Sequence, residues 1–208
     1  MNPIIRLLII ADFFVLSGLG LTSPVFAIFV DRNLLGGSIA AAGISQMIYM
    51  VVKAVLQIFI GRFNDRDRGN LREFWTSLVG YGLMSAVPFL YVLIRTVPQL
   101  YAVQVLFGVG AAFSYPGFMT IFTKFADRER EGSEWATYST TVFIGMAITA
   151  ALGAWMIEQF GFSLVFLVVG GMSVLGSLAF ASLGLKYAEL RADHHPPKRH
   201  PRDVPPVK

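Results

Sequence analysis

The sequence predicts an all-α membrane protein of six transmembrane helices with both termini in the cytoplasm. Three observations carry this. The 208 residues are 55% hydrophobic and only 14% charged, where an average soluble chain carries roughly 25% charged residues, and the mean hydropathy is +0.61. Charge is also excluded from six stretches, residues 7–30, 39–60, 74–94, 97–123, 135–157 and 164–185, whose 139 residues contain two charges, Asp12 and Lys53. Each stretch exceeds the length of about 20 apolar residues that a helix needs to cross a bilayer. Finally, the lysines and arginines outside the spans fall on one side. With the N-terminus inside, segments 1–6, 61–73, 124–134 and 186–208 hold 14 of them, and the opposite side holds two, Arg32 and Arg95. Basic loops remain cytoplasmic.

The first stretch begins after Arg6 and has a passing likeness to a signal peptide. Its apolar run continues to Val30 and five more follow, so it reads as a span. The external links, residues 31–38, 95–96 and 158–163, are short, which makes consecutive helices antiparallel neighbours. Domain organisation follows: residues 1–185 form the membrane domain. Residues 186–208, with five prolines, form a polar cytoplasmic tail expected to be disordered beyond Ala192.

Composition also removes function classes. The chain has no cysteine, and its three histidines, His194, His195 and His200, all lie in the tail. No metal site, cofactor site, P-loop or nucleophile–histidine pair is readable within the spans, and the expectation is a protein that is not an enzyme. The net charge of +4 belongs to the loops of a membrane protein, so no nucleic-acid partner is expected.

Ionisable residues inside a bilayer are functional candidates. Asp12 lies roughly 8 Å above the inner end of span one and Lys53 roughly 11 Å above that of span two, at 1.5 Å per residue. The two are open to a neutralising pair, to snorkelling of Lys53, or to a role in substrate or proton coupling. Gln46, Tyr49, Lys53 and Gln57 share one face of span two and must meet protein or water. Gln104 and Tyr115 on span four can face the same interior, and Tyr138 and Thr141 on span five read as packing and helix-to-helix hydrogen bonding. Thr141, Gly145, Thr149 and Gly153 form an i, i+4 ladder of small residues, expected to be a helix-packing face.

The loop after span two reads Gly61-Arg62-Phe63-Asn64-Asp65-Arg66-Asp67-Arg68-Gly69. Gly61 permits close helix approach, and Asp65 can accept from a helix N-terminus or an arginine across the bundle. This Gly-x-x-x-Asp-Arg pattern resembles the loop signature of the major facilitator superfamily, with Arg68 where the family has its next glycine. Span four, with Gln104, Gly108, Gly110 and Tyr115-Pro116, is similar to the family's fourth-helix motif, Gln104 standing at the arginine position. Span five places Gly145 and Gly153 in the spacing of the family's Gly-x-x-x-Gly-Pro-x-x-Gly signature, with Thr149 and Ala150 replacing the inner Gly-Pro. Phe160-Gly161-Phe162 resembles the family's turn between helices five and six.

The resemblance implies a six-helix half built from two inverted three-helix repeats. The pairs Gly18-Leu19-Gly20 with Pro24 and Gly108-Val109-Gly110 with Pro116 echo such a repeat. It further implies a plasma-membrane secondary transporter that moves a small solute, of a kind the sequence does not name, by alternating access. The working form would be a homodimer or a pairing with a second six-helix half. The alternative is a non-transporting membrane interaction protein or a truncated carrier remnant.

The charge count predicts a labelling pattern. In a chain that has no cysteine of its own, one introduced as Ser163→Cys reacts with a membrane-impermeant thiol reagent from outside the cell, and Ser133→Cys does not. The reverse pattern overturns the orientation.

Overall fold

The computed structural model describes residues 2–66, 71–127 and 129–193, with side chains through Gly184. Its elements among the described residues are all helices, and three of them start where the sequence supplies a cap. Asn2 accepts the Ile4 N–H at 3.0 Å and Pro3 opens α1 (Pro3–Thr22). Ser38 accepts the Ala41 N–H at 3.0 Å at the start of α3 (Ile39–Asp65). Thr96 and Gln99 form a reciprocal capping box at α5 (Val97–Phe125). Between these lie α2 (Phe26–Asn33) and α4 (Arg72–Leu93), and α6 (Glu131–Asp193) closes the chain.

Two boundaries differ from the sequence expectation. The first span is not one helix: a 3-10 turn at Ser23–Val25 separates α1 from α2, because Pro24 has no N–H to continue the ladder. The fifth and sixth stretches are not separated by a loop. They are one element, α6, broken at Gly161, whose φ of 78° only glycine adopts freely. The described residues therefore hold five apolar helices long enough to cross a membrane, the last of them Glu131–Gly184. The helix also runs eight residues into the expected tail, to Asp193. The expected disorder and the three histidines fall on residues 194–208, outside the described residues.

The two arms of α6 meet α1 in opposite senses. Gly145 lies against Phe13 and Ser17, and Gly153 against Leu21, so the first arm ascends with α1. Val169 and Met172 lie at Gly18, and Gly176 at Ala11 and Val15, so the second arm descends. The second arm also runs down α4, through the pairs Phe89–Gly170, Ser85–Ser177 and Tyr81–Phe180. Meanwhile α5 lies between α3 and α4.

Small residues make these contacts possible. Residues two apart on a helix point about 200° apart, so the pair Gly108 and Gly110 serves two neighbours. A Cβ at Gly108 would lie 2.8 Å from the Tyr49 carbonyl oxygen of α3, and one at Gly110 would lie 3.0 Å from Met84 of α4. Gly18 and Gly20 divide in the same way between the second and first arms of α6. Such backbone proximity replaces the hydrophobic drive that lipid removes.

Glycine position predicts tolerance. Gly80→Ala drives a methyl into the Ser114 backbone and is expected to cost about 1–3 kcal/mol. Gly43→Ala, with nothing within 4 Å, is expected to be neutral. Detergent unfolding midpoints of the two variants check the difference.

Candidate functional site

A single carboxylate organises the interior of the bundle. Asp12 projects from the middle of α1, and its two oxygens are divided between two helices. Oδ1 accepts the Tyr81 hydroxyl of α4, and Oδ2 accepts the Tyr138 hydroxyl of α6 at 2.6 Å. Each tyrosine is set by its own aromatic bed. Tyr81 is 2% exposed and stacks on Phe180 at 4.7 Å, with Phe74 stacked beyond it. Tyr138 packs against Phe118, Phe122 and Trp135 with ring centroids 5.5–5.6 Å away. Neither phenol can turn away without disturbing a ring cluster, so the hydroxyls are held facing the carboxylate.

Of the readings open for Asp12 and Lys53, the ion pair is not formed. The oxygens of Asp12 are taken by tyrosines, and the Lys53 ammonium lies over the Tyr115 ring, 4.8 Å from its centroid. That cation–π contact is worth about 0.5–2 kcal/mol, depending on desolvation. Asp12, Tyr81 and Tyr138 thus join α1, α4 and α6, and Lys53 and Tyr115 join α3 and α5. α1 and α3 do not pack on one another: α1 lies against α6 and α3 against α5, and the lysine stem sends its charge to an aromatic face of α5.

Further along α3, toward the Ile39 end, lies a cavity of about 520 Å³. Gln46, Tyr49, Gln104, Phe107 and Tyr91 line it, together with Thr22 and the start of α2. Tyr49 and Phe107 stack at 4.6 Å and form an aromatic wall. Gln104 is 2% exposed and its Oε1 has no hydrogen-bond partner. Gln57, one turn past Lys53, also has a buried Oε1 without a partner.

Among the remaining candidates, the glycines and Thr149 occupy packing positions. Gly61 faces Pro116, at 4.0 Å from where its Cβ would sit, and Thr149 fills the space beside Gly20. Thr141 donates to the Thr137 carbonyl at 2.8 Å on its own helix. Asp65 is exposed at the end of α3, as is Arg66, and makes no bond across the bundle among the described residues. Its expected role falls to its neighbour: Asn64, 6% exposed, accepts from Thr76 at 3.2 Å in the first turns of α4. Arg68 and Gly69 lie outside the described residues.

Sequence reading missed three contributors. Tyr81 carries no charge and sits in an apolar helix, so nothing marks it. Glu73 and Lys124 flank the ends of spans and read as loop charges. The structure buries the Glu73 side chain to 3% exposure and pairs it with Lys124 at 2.6 Å. Among the described residues no cluster of histidine, cysteine or carboxylate could hold a metal.

If the tyrosines serve the carboxylate, their contributions are coupled to it. Tyr138→Phe is expected to cost about 1.5–3 kcal/mol beside Asp12, the range for a hydrogen bond to a charged group. The same change beside Asp12→Asn is expected to cost about 1 kcal/mol. A double-mutant cycle from reversible unfolding in detergent measures the difference.

A search of curated proteins gives no match to this chain. The sequence profile of the Major Facilitator Superfamily matches residues 8–207. That span covers the helical bundle from the second turn of α1 onward, with the Asp12 group and the cavity. The chain is therefore a transporter-like, multi-pass membrane protein, and it belongs to the Major Facilitator Superfamily.

Proposed function

We propose that this bundle is one half of a secondary carrier that moves a small solute by alternating access across the plasma membrane. The observation that carries the reading is Asp12: a carboxylate within an apolar helix, bonded by two tyrosines and close to a lysine held by an aromatic ring. Burying such a group is costly unless it is fully bonded, and membrane proteins retain it where ions or solutes pass. The opposite senses of the two arms of α6 support six crossings, turning at Gly161. An even number of crossings with a cytoplasmic N-terminus returns the C-terminus to the cytoplasm, in agreement with the distribution of Lys and Arg.

One bundle supplies one wall of a carrier. A large part of α3 is not covered by its own chain: Met47, Met50, Val51, Val55, Ile58 and Phe59 are each more than half exposed. Gln46 is exposed on the same helix, and Tyr115 of α5 is 46% exposed. Polar groups at these positions call for protein or water opposite them. In this reading a second six-helix bundle, a parallel copy about a two-fold axis along the membrane normal, provides that surface. The first arm of α6, with Phe143, Ile144 and Ile148 exposed, extends the same uncovered surface or meets lipid.

Two measurements test this. Tyr115→Cys copies in a bilayer cross-link to each other, and Asp12→Asn lowers solute uptake into vesicles by about tenfold or more, within the usual size of coupling energies. A protein that remains monomeric over a wide range of lipid-to-protein ratios, yet still transports, overturns the paired form.

A further inference from the structure

We propose that the cavity between α1, α3 and α5 is a binding site for an uncharged, planar, amphipathic small molecule that donates a hydrogen bond to Gln104. This deepens the carrier reading and rests on it for the site's role in transport, though not for the binding itself.

The cavity has the size of a ligand site. Its volume of about 520 Å³ lies within the range of roughly 300–1,000 Å³ typical of small-molecule pockets. Its lining holds no lysine, arginine, aspartate or glutamate, so nothing there offsets the desolvation of an ionic ligand. The charged groups of the bundle, Asp12 and Lys53, are engaged elsewhere, with the tyrosines and the Tyr115 ring. What the wall provides is aromatic surface and neutral polar groups. Tyr49 and Phe107 are stacked with rings inclined by 24°, and Gln46, Tyr91 and Thr22 also line the cavity.

Gln104 gives the cavity its selectivity. A carboxamide oxygen that is shut away from solvent and bonded to nothing leaves a strong acceptor unsatisfied. Such a group is inexpensive to retain only if something comes to satisfy it. A ligand that presents an N–H or O–H there recovers the bond. One of the same shape without a donor leaves the oxygen unpaired, which is how buried polar groups discriminate between near-isosteres. Gly43 is on the lining, and a Cβ there meets nothing within 4 Å. A larger side chain at that position can therefore occupy the cavity without displacing the fold.

The test uses indole, 1-methylindole, tryptamine and indole-3-acetate as probes of the full chain in lipid nanodiscs. Binding is read by ligand-observed saturation-transfer NMR, with empty nanodiscs subtracted for lipid partition. Indole is expected to bind about fivefold to tenfold more tightly than 1-methylindole, the equivalent of one uncharged hydrogen bond, and more tightly than either charged congener. Gln104→Leu brings the indole to 1-methylindole ratio to about one. Gly43→Leu weakens both about tenfold, and unchanged melting of each variant shows that the bundle is intact. The proposal is overturned by absence of protein-specific indole binding or by equal affinity for the two neutral probes. Preference for a charged congener, or a ratio that survives Gln104→Leu, overturns it equally. No transport is read, so a chain that binds indole in this pattern but carries no solute refutes the carrier reading alone.

Discussion

The bundle depends on how a carboxylate is accommodated among apolar helices. An ionisable oxygen taken from water without partners costs several kcal/mol, and Asp12 meets that cost with two phenolic donors from two other helices. The bonds fix more than one side chain. Because Tyr81 belongs to α4 and Tyr138 to the first arm of α6, the carboxylate ties three helices together at one depth. The aromatic beds beneath the tyrosines extend that tie to Phe180 on one side and to Phe118 and Phe122 on the other. Glycine contacts set the helix spacings, and the carboxylate joins three of the helices at one point.

Polarity is divided along the bundle. Toward the Ile39 end the cavity is aromatic and neutral, with Gln104 as its buried acceptor. Nearer the opposite end of α3 the group is charged, with Lys53 on Tyr115 and Asp12 between its tyrosines. Ordinary coulombic attraction would draw Lys53 and Asp12 together. The cation–π contact instead places the lysine against α5.

Much of the helical layout was legible in the sequence because the bilayer imposes two simple constraints, length and exclusion of charge. The starts of α3 and α5 fall where expected, since Ser38 and Thr96 are caps immediately before apolar runs. The turn between the last two stretches falls inside the expected link, at Gly161, whereas the end of span one was less legible. Hydropathy does not register backbone geometry, so the 3-10 turn at Pro24 leaves no polar gap. For the site, the sequence identified Asp12, Lys53, Gln104 and Tyr115 because polar residues are conspicuous in apolar segments. It did not identify partners. Depth along a helix can be counted, but side-chain direction follows from which helix packs on which face, and that assigned Asp12 to Tyr81 and Lys53 to Tyr115.

If transport is what retains the Asp12 group, its replacement need not lower stability. Buried polar groups replaced together by apolar ones of similar volume often leave a fold as stable or more so. The most direct measurement is therefore the combined variant Asp12→Val, Tyr81→Phe, Tyr138→Phe, assayed for unfolding midpoint and for flux into vesicles of the solute that the unaltered protein carries. The account predicts an unfolding midpoint equal to or above that of the unaltered protein and loss of flux. Retained flux in a stably folded triple variant would contradict it.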